Sequence, residues 1–263
     1  MIAQPRPHSA AGLACTRLTV QVPGRTLVRE LDFVLSSGSM TAVLGCNGAG
    51  KTLTLHTLAG LRPPAAGQVT FDNRPLTEWP RRLLAQRLGL LTQDTEDPFP
   101  ATVEQSVLIG RHPHIGFWDW ESSTDREIAR AALAAVGLEA LSERDVNTLS
   151  GGERRRVAIA TLLAQDPEVF LLDEPLNHLD PHHQMDVLKL FRSKADAGRA
   201  VLTSLHDAGL AARFCDHALL LFGDGRWLSG PSSQVLTAET MTRLYGVRVR
   251  EVSWEQGRTF VAE

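Results

Sequence analysis

The fold is decided by an eight-residue stretch that reads Gly45-Cys46-Asn47-Gly48-Ala49-Gly50-Lys51-Thr52. It matches the pattern G-x-x-x-x-G-K-[ST], which is typical of a loop that cradles phosphates. The glycines let backbone N–H groups approach phosphate oxygens closely, and a helix that begins at the loop directs its positive end at the same anion. Lys51 adds a point charge for the terminal phosphates, and the Thr52 hydroxyl is a hard oxygen ligand of the kind that Mg²⁺ prefers. The alternative is a plain glycine-rich turn between a strand and a helix.

The segments around this loop predict an α/β sheet. The apolar run Met40–Leu44 before the loop predicts a strand buried on both faces, and the helix after the loop is expected to end at about Leu61. Elsewhere, short apolar runs alternate with helical patterns. The predicted strands are Leu13–Val22, Leu31–Leu35, Gln68–Phe71, Leu88–Leu91, Glu168–Leu172, Ala200–Ser204 and a hairpin of His217–Phe222 with Arg226–Ser229. The predicted helices are Thr77–Arg87, Arg126–Val136, Ser150–Gln165, Pro181–Ala197 and Asp207–Phe214, with capping boxes at Thr102/Gln105, Thr124/Glu127 and Ser150/Glu153.

Two carboxylates follow a buried strand in the second half of the chain. The apolar run Val169–Leu172 leads directly into Asp173 and Glu174. In an open parallel sheet, ligands bind beyond the carboxyl ends of the strands. We therefore expect Asp173 on the same edge as the phosphate loop, as a direct or water-mediated Mg²⁺ partner, and Glu174 in a position to polarise an attacking water. Taken alone, the pair fits a solvated turn as well.

A second helix start of the anion-binding kind lies at Ser150-Gly151-Gly152-Glu153. It combines a hydroxyl, two glycines and a helix N-terminus, although by itself it also fits a plain N-cap. One nucleotide seldom needs two such helix starts from one chain. Two copies arranged head-to-tail would use both, each copy closing the nucleotide of the other.

Together these three motifs resemble those of the nucleotide-binding subunit of an ATP-binding-cassette (ABC) transporter, over about residues 13–230. Gly45–Thr52 is similar to the Walker A loop of that family. Val169–Glu174 is similar to the Walker B strand, and Leu149–Glu153 to the LSGG-type family motif.

The resemblance implies an α/β fold, a P-loop NTPase core of the ABC type. A mixed or parallel sheet is flanked by helices, with an antiparallel β subdomain and a helical subdomain at about 94–165. Residues 12–230 form the implied ATPase domain. We expect a disordered N-terminal tail at 1–11 and a C-terminal extension at 231–263.

Further residues take roles by the same resemblance. Gln93 matches the glutamine that reaches Mg²⁺ and the attacking water, and His206 matches the histidine that contacts the γ-phosphate. Asp180 belongs to the matching D-loop, Leu179-Asp180. The implied catalytic set is Glu174, His206 and Gln93, and the implied metal set is Thr52, Gln93 and Asp173.

The family also implies ATP and Mg²⁺ as cofactors and a homodimer of ATPase subunits. ATP is expected between the Walker motifs of one copy and Ser150, Gly151 and Gly152 of the other. Hydrolysis is then phosphoryl transfer to water, which depends mostly on positioning and charge stabilisation.

Three departures from the family pattern stand out. Leu53 replaces the usual second hydroxyl after the lysine, which removes an α-phosphate contact. Val22 occupies the position of the aromatic residue that stacks on adenine, so we expect weak discrimination between ATP and GTP. Arg154 and Arg155 replace glutamines that are common after the family motif.

The transported substrate is indicated only by local similarity. Gly110–His114, Ser123–Arg126 and Leu176–Asp180 are similar to subunits of metal-chelate importers, which take up iron–siderophores, haem or cobalamin. This implies integral membrane permease subunits, a periplasmic or lipoprotein substrate-binding protein, and a peripheral location at the cytoplasmic face of the inner membrane. The region Asp94–Trp120 is expected to receive a coupling helix of the permease on the aromatic residues Phe117, Trp118 and Trp120, with core packing as the alternative.

The amino-acid composition excludes some of the remaining functional classes. The 263 residues carry 27 Lys+Arg and 30 Asp+Glu, and this net charge of −3 argues against a nucleic-acid partner. Three distant cysteines exclude a disulfide framework. The His112/His114 and His182/His183 pairs invite a metal site, but no carboxylate or cysteine cluster joins them at ligand spacing. A soluble non-transport ABC ATPase, an exporter ATPase subunit and a nucleotide-regulated module without turnover remain as alternatives.

Overall fold

The computed structural model describes residues 12–93, 100–116, 118–255 and 257–263. The expected tail at 1–11, most of the expected loop at 94–100 and Phe117 lie outside the described residues. Among the helices within these ranges, none combines the length and the apolar character that crossing a bilayer requires.

The secondary structure follows the predicted alternation. The strands are β1 (Leu13–Val22), β2 (Arg25–Leu35), β3 (Met40–Leu44), β4 (Ala66–Phe71), β5 (Arg74–Pro75), β6 (Leu88–Leu91), β7 (Val169–Leu172), β8 (Ala200–Ser204), β9 (His217–Leu221), β10 (Trp227–Pro231), β11 (Val249–Trp254) and β12 (Gly257–Ala262). The helices are α1 (Lys51–Leu58), α2 (Arg81–Ala85), α3 (Val103–Leu108), α4 (Ser123–Ala135), α5 (Gly151–Gln165), α6 (Pro181–Asp196), α7 (Ala208–Phe214), α8 (Ser232–Val235) and α9 (Ala238–Tyr245).

The central sheet has the strand order β10-β9-β3-β8-β7-β6. All neighbouring pairs from β9 to β6 are parallel, and β10 is antiparallel to β9. Every residue of Met40–Leu44 is buried, so the predicted burial on both faces is confirmed. The carboxyl ends of β3, β8, β7 and β6 consequently lie side by side at one edge of the sheet.

A second, antiparallel sheet has the order β2-β1-β4-β5. In β2, Leu31, Phe33 and Leu35 are buried, whereas the intervening Asp32 and Val34 are exposed, as period-two alternation requires. The buried side chains join Val43 and other side chains of the central sheet in one hydrophobic cluster. The predicted class, a P-loop core with an antiparallel β subdomain, is confirmed.

Helices α3, α4 and α5 each begin with a capping box. The boxes predicted at Thr102/Gln105 and Ser150/Glu153 are confirmed, but the box predicted at Thr124/Glu127 is wrong. There the cap is Ser122, whose extended backbone precedes the helix and whose hydroxyl accepts from the Asp125 N–H. Asp125 also binds Arg111, with Nε and Oδ1 3.0 Å apart, and this ion pair favours the earlier start.

The helix predicted over Thr77–Arg87 is also wrong in extent. A 3₁₀ turn covers Leu76–Glu78, Trp79 is extended, and α2 begins only after Pro80. Proline disfavours the helical conformation for the residue before it, and this effect outweighs the helical pattern.

The residues after β10 form two short helices and the β11–β12 hairpin. Met241 and Val249 pack into the same hydrophobic cluster as Leu220 of the central sheet. The hairpin contacts α7 so closely that a Cβ on Gly209 would come 2.5 Å from the Thr259 hydroxyl.

Candidate active site

A cavity of about 600 Å³ opens at the carboxyl edge of the central sheet. The loops after β3, β6, β7 and β8 and the β1–β2 turn supply its walls. Its lining residues are Val22, Arg25, Leu27, Asn47, Gly48, Gly50, Lys51, Thr52, Leu53, Gln93, Glu174, Asn177 and His206. The structure thus brings most of the sequence-predicted site residues of one chain into a single cavity.

The phosphate loop connects β3 to α1 by backbone geometry that requires glycine. A Cβ on Gly45 would come 2.6 Å from the carbonyl oxygen of Leu221. Gly50 has φ +103°, and its Cβ would meet that of Leu27 at 3.0 Å. Within the loop, the Ala49 N–H donates to the Cys46 carbonyl at 3.1 Å. The loop therefore turns tightly enough to direct successive N–H groups toward a bound anion.

Lys51 lies at the floor of the cavity and is 5% exposed. Its Nζ donates to the Gly45 carbonyl at 2.8 Å. Burial lowers the pKa of Lys51 below its usual value, and the carboxylates of Glu174 and Asp173 oppose that shift. The Lys51 ammonium is thus bound to a carbonyl of its own loop. Anionic phosphate oxygens would form stronger hydrogen bonds with it than this neutral carbonyl does.

Asp173 directly follows β7 and is completely buried. Its Oδ1 accepts from the Ser204 hydroxyl at 2.8 Å, whereas Oδ2 has no hydrogen-bond partner among the described residues. A buried carboxylate oxygen without a partner is costly, and a bound cation would remove that cost. The Thr52 hydroxyl lines the cavity, and together with the Asp173 carboxylate at the end of β7 it gives a set of hard oxygens that fits Mg²⁺.

Both carboxylate oxygens of Glu174 are engaged. Oε1 lies 2.9 Å from Nε2 of His206, and Oε2 accepts from the Asn177 side-chain amide at 2.5 Å. The Glu174 backbone is left-handed, with φ 47°, and its N–H donates to the Ser204 hydroxyl at 2.7 Å. Strain of this kind at a cavity wall is typical of a functional site. Glu174 and His206 can therefore exchange a proton or jointly orient a water molecule.

Gln93 and His206 each lie two residues beyond the end of a strand. Gln93 follows β6 and His206 follows β8, and both are exposed at the cavity. Because β7 lies between these two strands, Glu174 lies between the two side chains at the sheet edge.

Sequence reasoning missed Asn177 and Ser204. Ser204 is the last residue of β8, and its hydroxyl joins the side chain of Asp173 to the backbone of Glu174. Asn177 lies in the turn after Glu174 and holds its carboxylate. The only signal for Ser204 was a polar residue at the end of an apolar strand, two positions before His206.

Seven predicted site residues do not line the cavity of their own chain. Three of them belong to the segments that form it, Gly45, Ala49 and Asp173, and the other four lie on α5 and α6 or at their starts: Ser150, Gly151, Gly152 and Asp180. The Ser150 hydroxyl accepts from the Glu153 N–H at 3.3 Å as the cap of α5. Gly152 packs on the turn before α6, where its Cβ would approach the His178 carbonyl to 2.9 Å. Asp180 caps α6, and hydrogen bonds from His183 lower the pKa of its carboxyl.

The opposite end of the cavity is formed by Val22, Arg25 and Leu27. The described lining residues include no Phe, Tyr or Trp. Arg25 donates from Nε and Nη2 to the Gly223 carbonyl, at 3.0 and 2.7 Å. The structure therefore places Val22 at this wall, where it offers packing and no π-face.

The histidine pairs form no metal site in the part of the chain that is described, where no cluster of three or more His, Cys, Asp or Glu side chains could hold an ion. His114 Nε2 lies 2.8 Å from the Gln165 carbonyl. His183 is bound to Asp180 as described above, so these side chains have structural partners.

Comparisons with known proteins agree with this geometry. The profile of the ABC transporter family matches residues 28–177. The hemin import ATP-binding protein HmuV of Nocardia farcinica is 40% identical over 236 residues, covering 90% of this chain and 81% of that protein. The ferric enterobactin transport ATP-binding protein FepC of Escherichia coli is 35% identical, covering 92% and 89%.

Among solved structures, one described as a metal-chelate type ABC transporter in an inward-facing conformation aligns with a TM-score of 0.83 at 27% identity, covering 96% of this chain and 98% of that chain. The matched profile extends from β2 past the phosphate loop and the Asp173–Glu174 strand end. The chain accordingly belongs to the ABC transporter family, as an ATP-binding subunit that hydrolyses ATP.

Proposed function

We propose that this chain is the ATPase subunit of an importer that takes up haem or an iron–siderophore through a separate membrane permease. The observation that carries the ATPase role is the meeting of Lys51, Asp173, Glu174, Gln93 and His206 at four neighbouring strand ends. The names of the HmuV and FepC relatives support the substrate class, because both describe iron-containing cargo.

The chemistry we propose follows from the order of groups along the cavity. The loop N–H groups and Lys51 bind the phosphates of ATP. Thr52, Asp173 and Gln93 would hold Mg²⁺, which would supply positive charge to the terminal phosphates when bound. Glu174 orients the attacking water and accepts its proton while the water oxygen bonds to the γ-phosphorus and the bond from that phosphorus to the bridging oxygen breaks, so that ADP leaves. His206 holds the Glu174 carboxylate and the γ-phosphate.

A homodimer completes this site in the proposal. Ser150, Gly151 and Gly152 lie outside the cavity of their own chain, yet they begin a helix of 15 residues whose positive end suits a phosphate. A second copy arranged head-to-tail would bring these residues to the ATP of the first. Asp180, at the start of α6, belongs to the same interface.

A groove beside the helical part supports docking of the permease. A cavity of about 200 Å³ lies between the end of β6 and α5, with Leu91, Ile109 and Val157 in its walls. Ile109 is 50% exposed, and Trp118 and Trp120 nearby along the chain are 88% and 87% exposed. Apolar and aromatic residues at the surface are typical of a protein interface. We therefore assign the chain to the cytoplasmic face of the membrane that carries its permease.

The test measures ATP hydrolysis and iron uptake in the same set of variants. Glu174→Gln should lower kcat by about 10²–10⁴-fold while ATP still binds, because only the proton-accepting group is lost. Cells that express the chain with its permease should take up iron-labelled haem or a ferric siderophore, and Glu174→Gln should abolish that uptake. Unchanged turnover in Glu174→Gln removes the catalytic assignment. Uptake of neither cargo by the wild type removes the substrate class.

Trp118→Ala and Trp120→Ala test the docking surface. Both should reduce co-purification with the permease and leave the ATP affinity of the isolated subunit unchanged. Intact assembly and transport in both variants would show that the permease binds elsewhere.

A further inference from the structure

Arg155 is a buried charged residue at the centre of the ATPase machinery. It lies in α5, in the stretch where arginines replace the glutamines common in related subunits, and its residue exposure is 3%. A guanidinium withdrawn from water is costly unless its donors are satisfied. Its partners therefore indicate why this site accepts an arginine.

Arginine has five N–H donors in a planar fork, and here they meet five backbone carbonyls. Nη2 donates to the carbonyls of Asp173 and Glu174, at 2.6 and 2.8 Å. Nη1 donates to Thr92 at 2.6 Å and to Gln93 at 3.2 Å. Nε completes the set with a longer contact of 3.4 Å to the Pro175 carbonyl.

These carbonyls belong to two segments that are far apart in the sequence. In the proposed function, both segments contribute side chains to ATP hydrolysis. One follows β6 and carries Gln93, and the other follows β7 and carries Asp173 and Glu174. The strand register ends at Leu91 and Leu172, and a backbone hydrogen bond from the Asp173 N–H to the Leu91 carbonyl, at 2.9 Å, follows it. Past the ends of the two strands, the planar guanidinium of Arg155 binds carbonyls of both chain segments and so connects them.

We propose that Arg155 is a positioning residue for ATP hydrolysis, which sets the spacing of the Gln93 and Glu174 segments and ties both to α5. Ser150, which the proposed function assigns to the partner's ATP, caps that helix. The inference rests on the proposed function, in which Glu174 and Gln93 act on the same water. A displacement of either segment by about 1 Å is enough to lower the rate of a positioned reaction by roughly a hundredfold.

The number of N–H donors on each side chain predicts how strongly a substitution of Arg155 lowers kcat. Glutamine offers two N–H donors on a shorter chain, lysine offers three on a flexible one, and methionine offers none. Methionine preserves most of the apolar volume in the buried position. The kcat should therefore be highest with arginine, lower with lysine or glutamine, and lowest with methionine.

The experiment measures kcat, KM for ATP and the unfolding temperature in Arg155→Met, Arg155→Lys and Arg155→Gln. Arg111→Met is the matched control, because Arg111 is 8% exposed and also donates to a backbone carbonyl, that of Ala164, away from the cavity. Arg155→Met should lower kcat about tenfold or more and leave KM within about twofold, since the phosphate loop is unchanged. Arg111→Met should lower the unfolding temperature and leave kcat per ATP-binding site unchanged.

Equal losses of kcat per binding site in Arg155→Met and Arg111→Met would overturn the proposal, because a general packing defect then explains both. A kcat within twofold of the wild type in all three Arg155 variants would overturn it as well. If Arg155→Met does not fold, the lysine and glutamine variants decide by the same kcat and KM criteria. Failure of the wild type to hydrolyse ATP contradicts the proposed function instead, so the two failures are distinguishable.

Discussion

The two ends of the 600 Å³ cavity differ in almost every physical respect. At the phosphate-loop end, Lys51 lines the cavity and Asp173 follows β7, and both side chains are buried and held by hydrogen bonds. At the opposite end, Val22 ends β1 and is half-buried, and Arg25 begins β2 and is exposed, one on either side of the turn between these strands.

The difference indicates where recognition is concentrated. Charged hydrogen bonds in a buried site are strong and depend on exact geometry, whereas apolar packing at an exposed wall is weak and tolerant. The chain is therefore expected to recognise the triphosphate firmly and the nucleobase loosely. Variants at the two ends should change different quantities.

Of the variants that compare the two ends, the largest effect is expected at the buried end, and it is an effect on ATP binding. Lys51→Ala should weaken ATP binding by about 10- to 100-fold, because a charged hydrogen bond to phosphate contributes about 1.5–3 kcal/mol. The dissociation constant is measured by titration with a fluorescent ATP analogue. Lys189→Ala, at an exposed position of α6, is the control and should bind as the wild type does. Wild-type affinity in Lys51→Ala would contradict the assignment of the phosphate loop.

A smaller effect is expected behind the cavity wall. Ser204→Ala removes the hydroxyl that joins the Asp173 carboxylate to the Glu174 backbone, and we expect kcat to fall about tenfold with little change in KM. Steady-state hydrolysis measures both constants.

Thr203→Val is the matched control for this variant. Thr203 is the preceding residue of β8, is completely buried, and its hydroxyl has no hydrogen-bond partner within the described residues. Replacing such a group by one of the same shape should be nearly neutral. The Ser204 role fails if both variants lower kcat by the same factor.

The smallest effect is expected at the exposed end. Val22→Tyr should raise the preference for ATP over GTP by about 2- to 10-fold, since an aromatic contact contributes about 0.5–1.5 kcal/mol beyond the area it buries. Competition between ATP and GTP for the cavity measures the ratio. Val22→Leu, which adds apolar volume without a π-face, should leave the ratio unchanged. A strong preference for ATP in the wild type would show that another group reads the base.

Local sequence patterns predicted the strands and the phosphate loop well. The loop could be predicted because its glycines, lysine and threonine lie close together in the chain. The strand Met40–Leu44 could be predicted because burial on both faces requires a continuous apolar run. The two wrong helix predictions arose where one local sequence signal for a helix start competed with another. Pro80 interrupted an otherwise helical pattern, and Ser122 rather than Thr124 capped α4 because Arg111 binds the matching Asp125.

The site was predictable only in part. Glu174, Gln93 and His206 were found from their positions at strand ends and from family resemblance, and their roles remain predictions. The contacts that hold Glu174 were not predictable, because Asn177 and Ser204 have no distinctive neighbours in sequence. The function of Arg155 was equally hidden, since the carbonyls that it binds carry no side-chain signature.

By itself the sequence determined which residues carry charge, which turns demand glycine and which runs must be buried, since these are properties of short segments. Only the tertiary structure decided which strand ends are neighbours, and hence that Lys51, Gln93, Glu174 and His206 meet at one cavity. The physical reason is that the parallel order β3-β8-β7-β6 is set by packing across the whole core. That order also gives the Arg155 guanidinium two strand ends to bind at once.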